Sequence, residues 1–485
     1  MRKLLLFTVS AAALCTFSAS AGPLSLEQRQ SLTEAIEAYQ PRMNQIAEQI
    51  WAKPELGYLE KETSALLQEE LKAHGFEIET GVAGIPTAFI ASRGDAEGPV
   101  IAIMAEMDAL PGFSQAAVPH KEPVNGLDVG HACGHHLFGA GSVAAAIAVA
   151  DWLDENGIKG QIRLYGTPAE EGGSGKVYMV RAGLFDEVDL TLHWHPADRN
   201  SASQGKSLAN ISAKFRFEGK SAHAAMAPDR GRSALDGIEA MNHMVNLLRE
   251  HVPQETRIHY VITDGGKAPN VVPDFAESYL YVRHPDPAVV ADVFARIEKA
   301  AEGASLGTAT SYSVERTGGV YSLLPNDTLG KIMDANLRQA EPIEWTEEEK
   351  KFGTELQTSF ERTVPALSSV SEVGAYEFAN QGYYSTDVGD VSWATPTVGL
   401  GTATWVPGTP PHSWQAVAAG GMSVGLKGTR LAAVTLAATA AELFQSPETI
   451  EAARAEFEAA RGADFSYRAL IGEREPPLDY RLASE

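Results

Sequence analysis

The stretch "VIAIMAEMDALP" (residues 100–111) opens on an unbroken apolar run, Val100 to Met104. Such a run suits a strand covered on both faces, the kind found inside an α/β sheet. Working outward, "QIRLYG" (161–166) and "VDLTLH" (188–193) read as further strands. "GAGSVAAAIAVADWLDENG" (139–157) reads as an alanine-rich helix between them. Residues 26 to 75 carry apolar side chains near helical spacing, with a break at Pro54-Glu55-Leu56-Gly57 and a restart. Strands alternating with helices predict a mixed, largely parallel sheet with helices on both faces.

The texture changes near Leu208. Ile211, Ala213, Phe215 and Phe217 alternate with Ser212, Lys214, Arg216 and Glu218, the period of a half-exposed strand. A helix follows with Leu235, Ile238, Met241, Val245 and Leu248 on one face. Strand-like "RIHYVIT" (257–263) and "FAESYLYVRH" (275–284), a helix from Pro287 and strand-like "TATSYSVER" (308–316) complete a β-α-β-β-α-β order, the ferredoxin-like plan. One open sheet face of such a unit is available to a second copy. Alternation of helix and strand resumes after Tyr321. The expected organisation is therefore a domain in two parts, 22–206 and 319–485, with residues 207–318 inserted as a smaller α+β domain. The acidic "EWTEEEKKF" (344–352) reads as a solvated surface element.

Residues 1–21 read as a secretory signal rather than as part of the fold: Arg2 and Lys3, a short apolar run from Leu4 to Phe17, then Ala19-Ser20-Ala21 as a small-x-small cleavage site. An exported, periplasmic or secreted protein is expected, with no membrane attachment after cleavage. The 485-residue chain has a formal net charge of −24, and cleavage would remove two of its cations and no acid. That excludes nucleic acid as a partner, since phosphate contacts need a basic surface.

After cleavage Cys133 is the sole cysteine, so no internal disulfide forms, and a free thiol in an oxidising compartment is a liability unless something occupies it. It stands in "GHACGHH" (130–136), two residues from His135. A thiolate and an imidazole so placed, in a glycine-containing loop opening a helix, suit zinc or a similar transition metal. "YGTPAEEGGSG" (165–175) follows the strand "QIRLY", and open sheets place ligands at the carboxyl ends of strands. Its adjacent Glu170 and Glu171 point different ways on an extended chain, so that one can hold metal while the other acts as a base. "DLTLHWHP" offers His193 and His195 on one strand face; "GTPPHSW" (408–414) offers His412 in a loop. A solvated acidic turn or a structural histidine would read the same way for any of these later clusters in isolation. Together with Cys133 they supply enough donors for two ions sharing a site.

The motifs "WAKPELGYLEKET", "AEMDALPG", "HACGHH", "TPAEEGGSG", "LHWHP", "GKSAHAA", "GGKAPNVVPDFAESYLYVR" and "PPHSWQ" occur in an order that resembles the dinuclear zinc or manganese peptidases and amidohydrolases of the aminoacylase–carboxypeptidase group. The likeness runs from about residue 40 to 440 and is nearest to the amidohydrolase branch that includes indole-acetyl-amino-acid, hippurate and aminobenzoyl-glutamate hydrolases. The resemblance implies a zinc-exopeptidase-like catalytic domain with an inserted dimerisation or lid domain. It implies two divalent ions, Zn²⁺ or Mn²⁺, on Cys133, His135, Glu171 and His412, with Glu170 as general base and Asp108 orienting the site. The fifth ligand is His193 by its spacing to Pro196, or His195 by the "WHP" form; both stay open. In the inserted domain the resemblance implies that His223 steadies the oxyanion in the partner subunit's site, and that Asn270 and Arg283 grip the substrate carboxylate.

Three places depart from the branch: His136 stands where Asp is usual, Glu106 where "ADMD" is commoner, and "YYSTDVGDVSW" (383–393) replaces "GSEDF". The expected activity is metal-dependent hydrolysis of N-acyl or N-aroyl amino acids by a homodimer, or by a heterodimer with a paralogous subunit. The alternatives are a dipeptidase or carboxypeptidase of the same group, and a non-catalytic metal- or ligand-binding protein.

Overall fold

The computed structural model describes residues 22–482; the signal read at 1–21 lies outside them. In chain order the elements that matter for the site are α1 (Leu26–Ala52), α2 (Lys61–Ala73), β1 (Glu77–Thr80), β2 (Phe89–Gly94), β3 (Val100–Glu106), α3 (His135–Asn156), β4 (Gln161–Thr167), α4 (Gly175–Arg181), β5 (Leu190–Ala197), β6 (Ala209–Glu218), α5 (Ala234–Leu248), β7 (Arg257–Asp264), β8 (Phe275–His284), α6 (Pro287–Thr308), β9 (Ser311–Val320), α7 (Glu347–Gln357), α8 (Val388–Ala394), β10 (Thr397–Ala403) and α9 (Ser423–Gln445).

The main sheet has the order β1–β2–β4–β3–β5–β10. β4, β3, β5 and β10 are mutually parallel, and β1 and β2 add an antiparallel edge. Every residue of β3 is buried, as its apolar run requires. On one face lie α1, α3 and α9. α3 is long and apolar enough to cross a membrane by composition, yet it is enclosed along almost its whole length. Gly141 lets it approach the sheet: a Cβ there would stand 3.0 Å from both Trp194 Cζ2 and Thr429 Cγ2. α3 begins at His135, earlier than the alanine-rich run alone suggests, so the cysteine–histidine loop leads directly into its first turn.

The segment between β6 and β9 forms a separate four-stranded antiparallel sheet, order β7–β8–β6–β9, with α5 and α6 packed on one face. β8 alternates buried and part-exposed residues along its length, the period of a one-sided sheet. Its core of Phe215, Phe217, Phe294 and Ile297 continues onto Tyr321 and Leu470, which belong to the chain after the insertion.

The acidic stretch 344–352 is not wholly solvated. It makes the start of α7, with Thr346 and Glu349 in a reciprocal cap. Glu349 is buried, with Ser423 Oγ donating to it at 2.6 Å and Lys427 Nζ at 2.6 Å, while Trp345 and Phe352 join the core. Helical periodicity turns one acid of the run inward, where a lysine of α9 pairs it.

Candidate active site

The carboxyl ends of β3, β4, β5 and β10 converge on one place, and the loops leaving them carry the predicted donors. After β3 comes Asp108, fully buried. His135 Nδ1 lies 3.0 Å from both the Asp108 carbonyl and Asp108 Oδ1, so it donates to them and turns Nε2 towards the other donors. The other oxygen, Oδ2, accepts the Glu171 amide at 2.9 Å. One carboxylate thereby fixes two candidate ligands from different loops.

Gly134 is left-handed at φ +79°, and a Cβ on it would meet Pro196 at 2.7 Å. That close approach brings Cys133 Sγ to 3.5 Å from His195 Nε2. His195 Nδ1 donates to its neighbouring Pro196 carbonyl at 2.7 Å, leaving Nε2 free. His412 sits in a loop at φ +54°, with its amide donating to the Ala132 carbonyl at 3.0 Å and its Nε2 3.0 Å from Glu171 Oε1. Non-glycine residues at positive φ carry strain of about 1–3 kcal/mol and gather at functional sites; Ala169, directly before the Glu170–Glu171 pair, is another, at φ +58°.

Donor atoms fall into three mutually close triads: Cys133, His135 and His195; Cys133, Glu171 and His412; and Glu106, His135 and Glu170. Sulfur and imidazole bonds of about 2.3 and 2.0–2.1 Å at a tetrahedral zinc imply a separation near 3.5 Å, and Cys133 and His195 stand at that distance. Buried His135 Nε2, Glu106 Oε2 and Glu171 Oε1 have no hydrogen-bond partner among the described residues, though each faces a neighbour within ion-pair distance. Sulfur, imidazole and carboxylate donors crowded this way suit shared divalent metal ions.

His193 is not among the donors brought together in these triads. β5 and β10 pair in register, His193 with Gly399 and His195 with Gly401. A Cβ on Gly399 would lie 2.2 Å from His193 Nε2, so the ring rests on that glycine. Together with His195, Gln204, Tyr384, Ser392 and Thr397 it lines a cavity of about 170 Å³, and burial pushes its pKa down to about 4. The remaining imidazoles of "GHACGHH" serve packing. His136 Nε2 donates to the Gly420 carbonyl at 3.1 Å, and its ring lies 4.9 Å from that of His131.

Charge shapes the site. Burial, then Glu106 and Glu171, push the Glu170 carboxyl well above the usual carboxylate range. Burial also pushes the Cys133 thiol up, which makes it a poor free nucleophile. Burial opposes ionisation of Glu106, but the Lys176 ammonium, the largest of the opposing influences, helps hold that carboxyl at about 2.

The three predicted residues of the inserted domain are not brought to this cluster. His223 is exposed, its Nδ1 accepting the Met226 amide at 3.1 Å. Asn270 is exposed in the loop before β8, and Arg283 lies over the Tyr281 ring at 5.3 Å.

Sequence reasoning missed several participants. Glu60 is buried, takes the Ala169 amide at 2.8 Å and Thr87 Oγ1 at 3.0 Å, and supports the Glu170–Glu171 turn from below. Burial, then Asp108, push its pKa up to about 8. Tyr480 Oη donates to the Glu171 carbonyl at 3.0 Å, joined by Arg481. Glu60 lies inside a quoted motif; nothing in local spacing marks the C-terminal pair.

This is the arrangement of a metal-dependent hydrolase built on an open α/β sheet. Residues 102–386 match the family described as Peptidase family M20/M25/M40, and the chain belongs to that family. It is 42% identical over 439 residues to one of the subunits of p-aminobenzoyl-glutamate hydrolase of Escherichia coli (strain K12), covering 85% of this chain and 91% of that one. It is 29% identical to Xaa-Arg dipeptidase of Mus musculus, over 91% of this chain and 94% of that protein. Among solved structures, the aminobenzoyl-glutamate utilization protein from Klebsiella pneumoniae shares the fold, with a TM-score of 0.57 at 19% identity, covering 83% of this chain and 98% of that one.

Proposed function

We propose that this enzyme hydrolyses the amide bond of N-aroyl and N-acyl amino acids of the aminobenzoyl-glutamate type, with two divalent ions, Zn²⁺ or Mn²⁺, held by Cys133, His135, Glu171, His195 and His412. The observation that carries the reading is the convergence of these donors around Asp108, beside a second carboxylate, Glu170. The identity to the Escherichia coli hydrolase supports the substrate class.

When bound, the ions supply a water of lowered pKa and polarise the scissile carbonyl. Glu170 accepts the attacking water's proton and delivers it to the leaving amine nitrogen; a carboxyl whose pKa is raised holds a proton more readily between those two steps. Asp108 holds the His135 tautomer and the Glu171 backbone, so both ligands keep their aim. His223 donates a hydrogen bond to the developing oxyanion, arriving from a partner subunit or on closure of the insertion. Asn270 and Arg283 hold the substrate carboxylate, arginine by its bidentate fork. The partner is a second copy or a related chain; that the Escherichia coli relative is one subunit of its hydrolase supports this reading. The leader at 1–21 takes the chain to the periplasm or beyond, where bound metal protects Cys133 from oxidation.

Dipeptide cleavage is the second reading, favoured by the near full-length likeness to the Xaa-Arg dipeptidase. The test is kcat/KM of the mature chain on aminobenzoyl-glutamate and on a Xaa-Arg dipeptide, after chelation and after return of Zn²⁺ or Mn²⁺. Metal-restored release of glutamate supports the proposal, and preference for the dipeptide replaces it. Glu170→Gln should retain metal and lose most of kcat; wild-type kcat in that variant would overturn the base assignment.

A further inference from the structure

Lys176 is a fully buried lysine at the start of α4. Its Nζ lies 2.8 Å from Glu106 Oε1 and 2.8 Å from Asp387 Oδ1. Asp387, immediately before α8, is itself buried and also accepts the Lys176 amide on Oδ2 at 2.9 Å. The lysine is thus anchored twice by one aspartate and presents its remaining charge to Glu106. Only one Glu106 oxygen is used by it. The other, Oε2, stands 3.1 Å from His135 Nε2, and both atoms are buried without a hydrogen-bond partner among the described residues.

His135 Nδ1 faces Asp108, so Nε2 is the ring atom turned to Glu106 Oε2, and with Glu170 the two offer donor atoms all within 4.8 Å of one another. A proton shared between them would need hydrogen-bond alignment, which this pair lacks. A cation set to one side of the line satisfies both. Resting on the metal-centre reading above, we propose that Glu106 is a further metal ligand of this chain, donating Oε2 beside His135 Nε2, with Lys176 and Asp387 as the buried pair that positions it. Simple stabilisation is a poor account of the same cluster. Buried ion groups seldom outperform well-packed apolar residues of equal volume, and this one carries two carboxylates against one ammonium. The second Glu106 oxygen is turned into the site beside His135 Nε2, where an ion would meet both.

The test is a metal titration of the full mature chain, stripped by chelator and titrated with Zn²⁺ in competition with a chromophoric chelator. Glu106→Gln is the variant of choice, because it leaves the Lys176–Asp387 pair intact and strands no buried charge. Outer partners of ligands are worth about 10–100-fold in metal affinity, so loss of Glu106 should weaken at least one ion tenfold or more, alter the visible spectrum of the Co²⁺-loaded protein and leave apo-protein melting close to wild type. Lys176→Met should weaken metal in the same direction, and Lys176→Arg should restore part of it. Wild-type affinity for both ions with an unchanged Co²⁺ spectrum in Glu106→Gln would overturn the proposal. Should that variant fail to fold, Glu106→Asp is read instead. It keeps the charge and withdraws it by one methylene, and unchanged affinity there would equally overturn the role. A wild-type chain that binds no Zn²⁺ would refute the metal centre itself, a distinguishable result.

Discussion

Histidines 193 and 195 share one face of β5, yet only one should matter for metal. The perturbation is the pair His195→Ala and His193→Ala, each in the mature chain. His195 Nε2 stands 3.5 Å from Cys133 Sγ, the spacing that a shared tetrahedral ion gives. His193 lies two residues back, about 6.6 Å deeper at ~3.3 Å per strand residue, with its ring on Gly399. That places it well beyond a metal–nitrogen bond of about 2 Å to the same ion. Removing the outer partner of a ligand already costs about 10–100-fold in affinity, so removing the ligand should cost about 100-fold or more, near 2.8 kcal/mol at ~1.4 kcal/mol per tenfold. His193→Ala should stay within about threefold, near 0.7 kcal/mol on that scale. The assay is Zn²⁺ competition with a chromophoric chelator, with apo-protein melting recorded to separate metal loss from unfolding. A large loss in His193→Ala together with near-wild-type affinity in His195→Ala would refute the reasoning and return the assignment to the spacing from Pro196.

Three further outcomes follow from the packing. Gly399→Ala drives a methyl to 2.2 Å from His193 Nε2; overpacking of this kind costs about 1–3 kcal/mol, and an unchanged Tm would show that the ring has room to turn away. Tyr480→Phe removes one donor from the Glu171 carbonyl and should cost about 0.5–1.5 kcal/mol in denaturant unfolding, with no loss at all refuting the idea that the C-terminal segment braces the site. At Glu70 burial opposes the charge, but hydrogen bonds from Arg42 and Tyr39 prevail and lower its pKa. Its contribution is therefore full above the ordinary value of 4.5 and is lost as pH falls through the lowered one. Glu70→Gln should flatten that part of the acid-unfolding curve, and an acid limb identical to wild type would refute the linkage.

Much of the architecture was legible in local pattern. The continuous apolar run of β3, the alanine-rich α3 and the period-two alternation of β6 each carry their own environment, because a strand buried on both faces, an enclosed helix and a one-sided sheet demand different residues. The donor types were legible too, since a lone thiol among imidazoles and paired glutamates stand out from composition alone. By itself the sequence therefore determined an open sheet with an inserted α+β unit, and a metal chemistry at the ends of its strands.

Tertiary structure decided which groups meet. Alternation puts His193 and His195 on the same face and cannot choose between them. The choice comes from height along β5, from the Gly134 loop pressed on Pro196 and from Gly399, on which the His193 ring rests across the β5–β10 ladder. The charge of Glu349 reads as solvated until α9 brings Lys427 to it. Glu106, Lys176 and Asp387 are far apart in the chain, the first marked in sequence only as a departure from "ADMD", and only the crossing of β3, α4 and the start of α8 joins them. Spacing along a chain reports local geometry, whereas a buried charge is tolerated only where a distant partner meets it, and that partner is supplied by the fold.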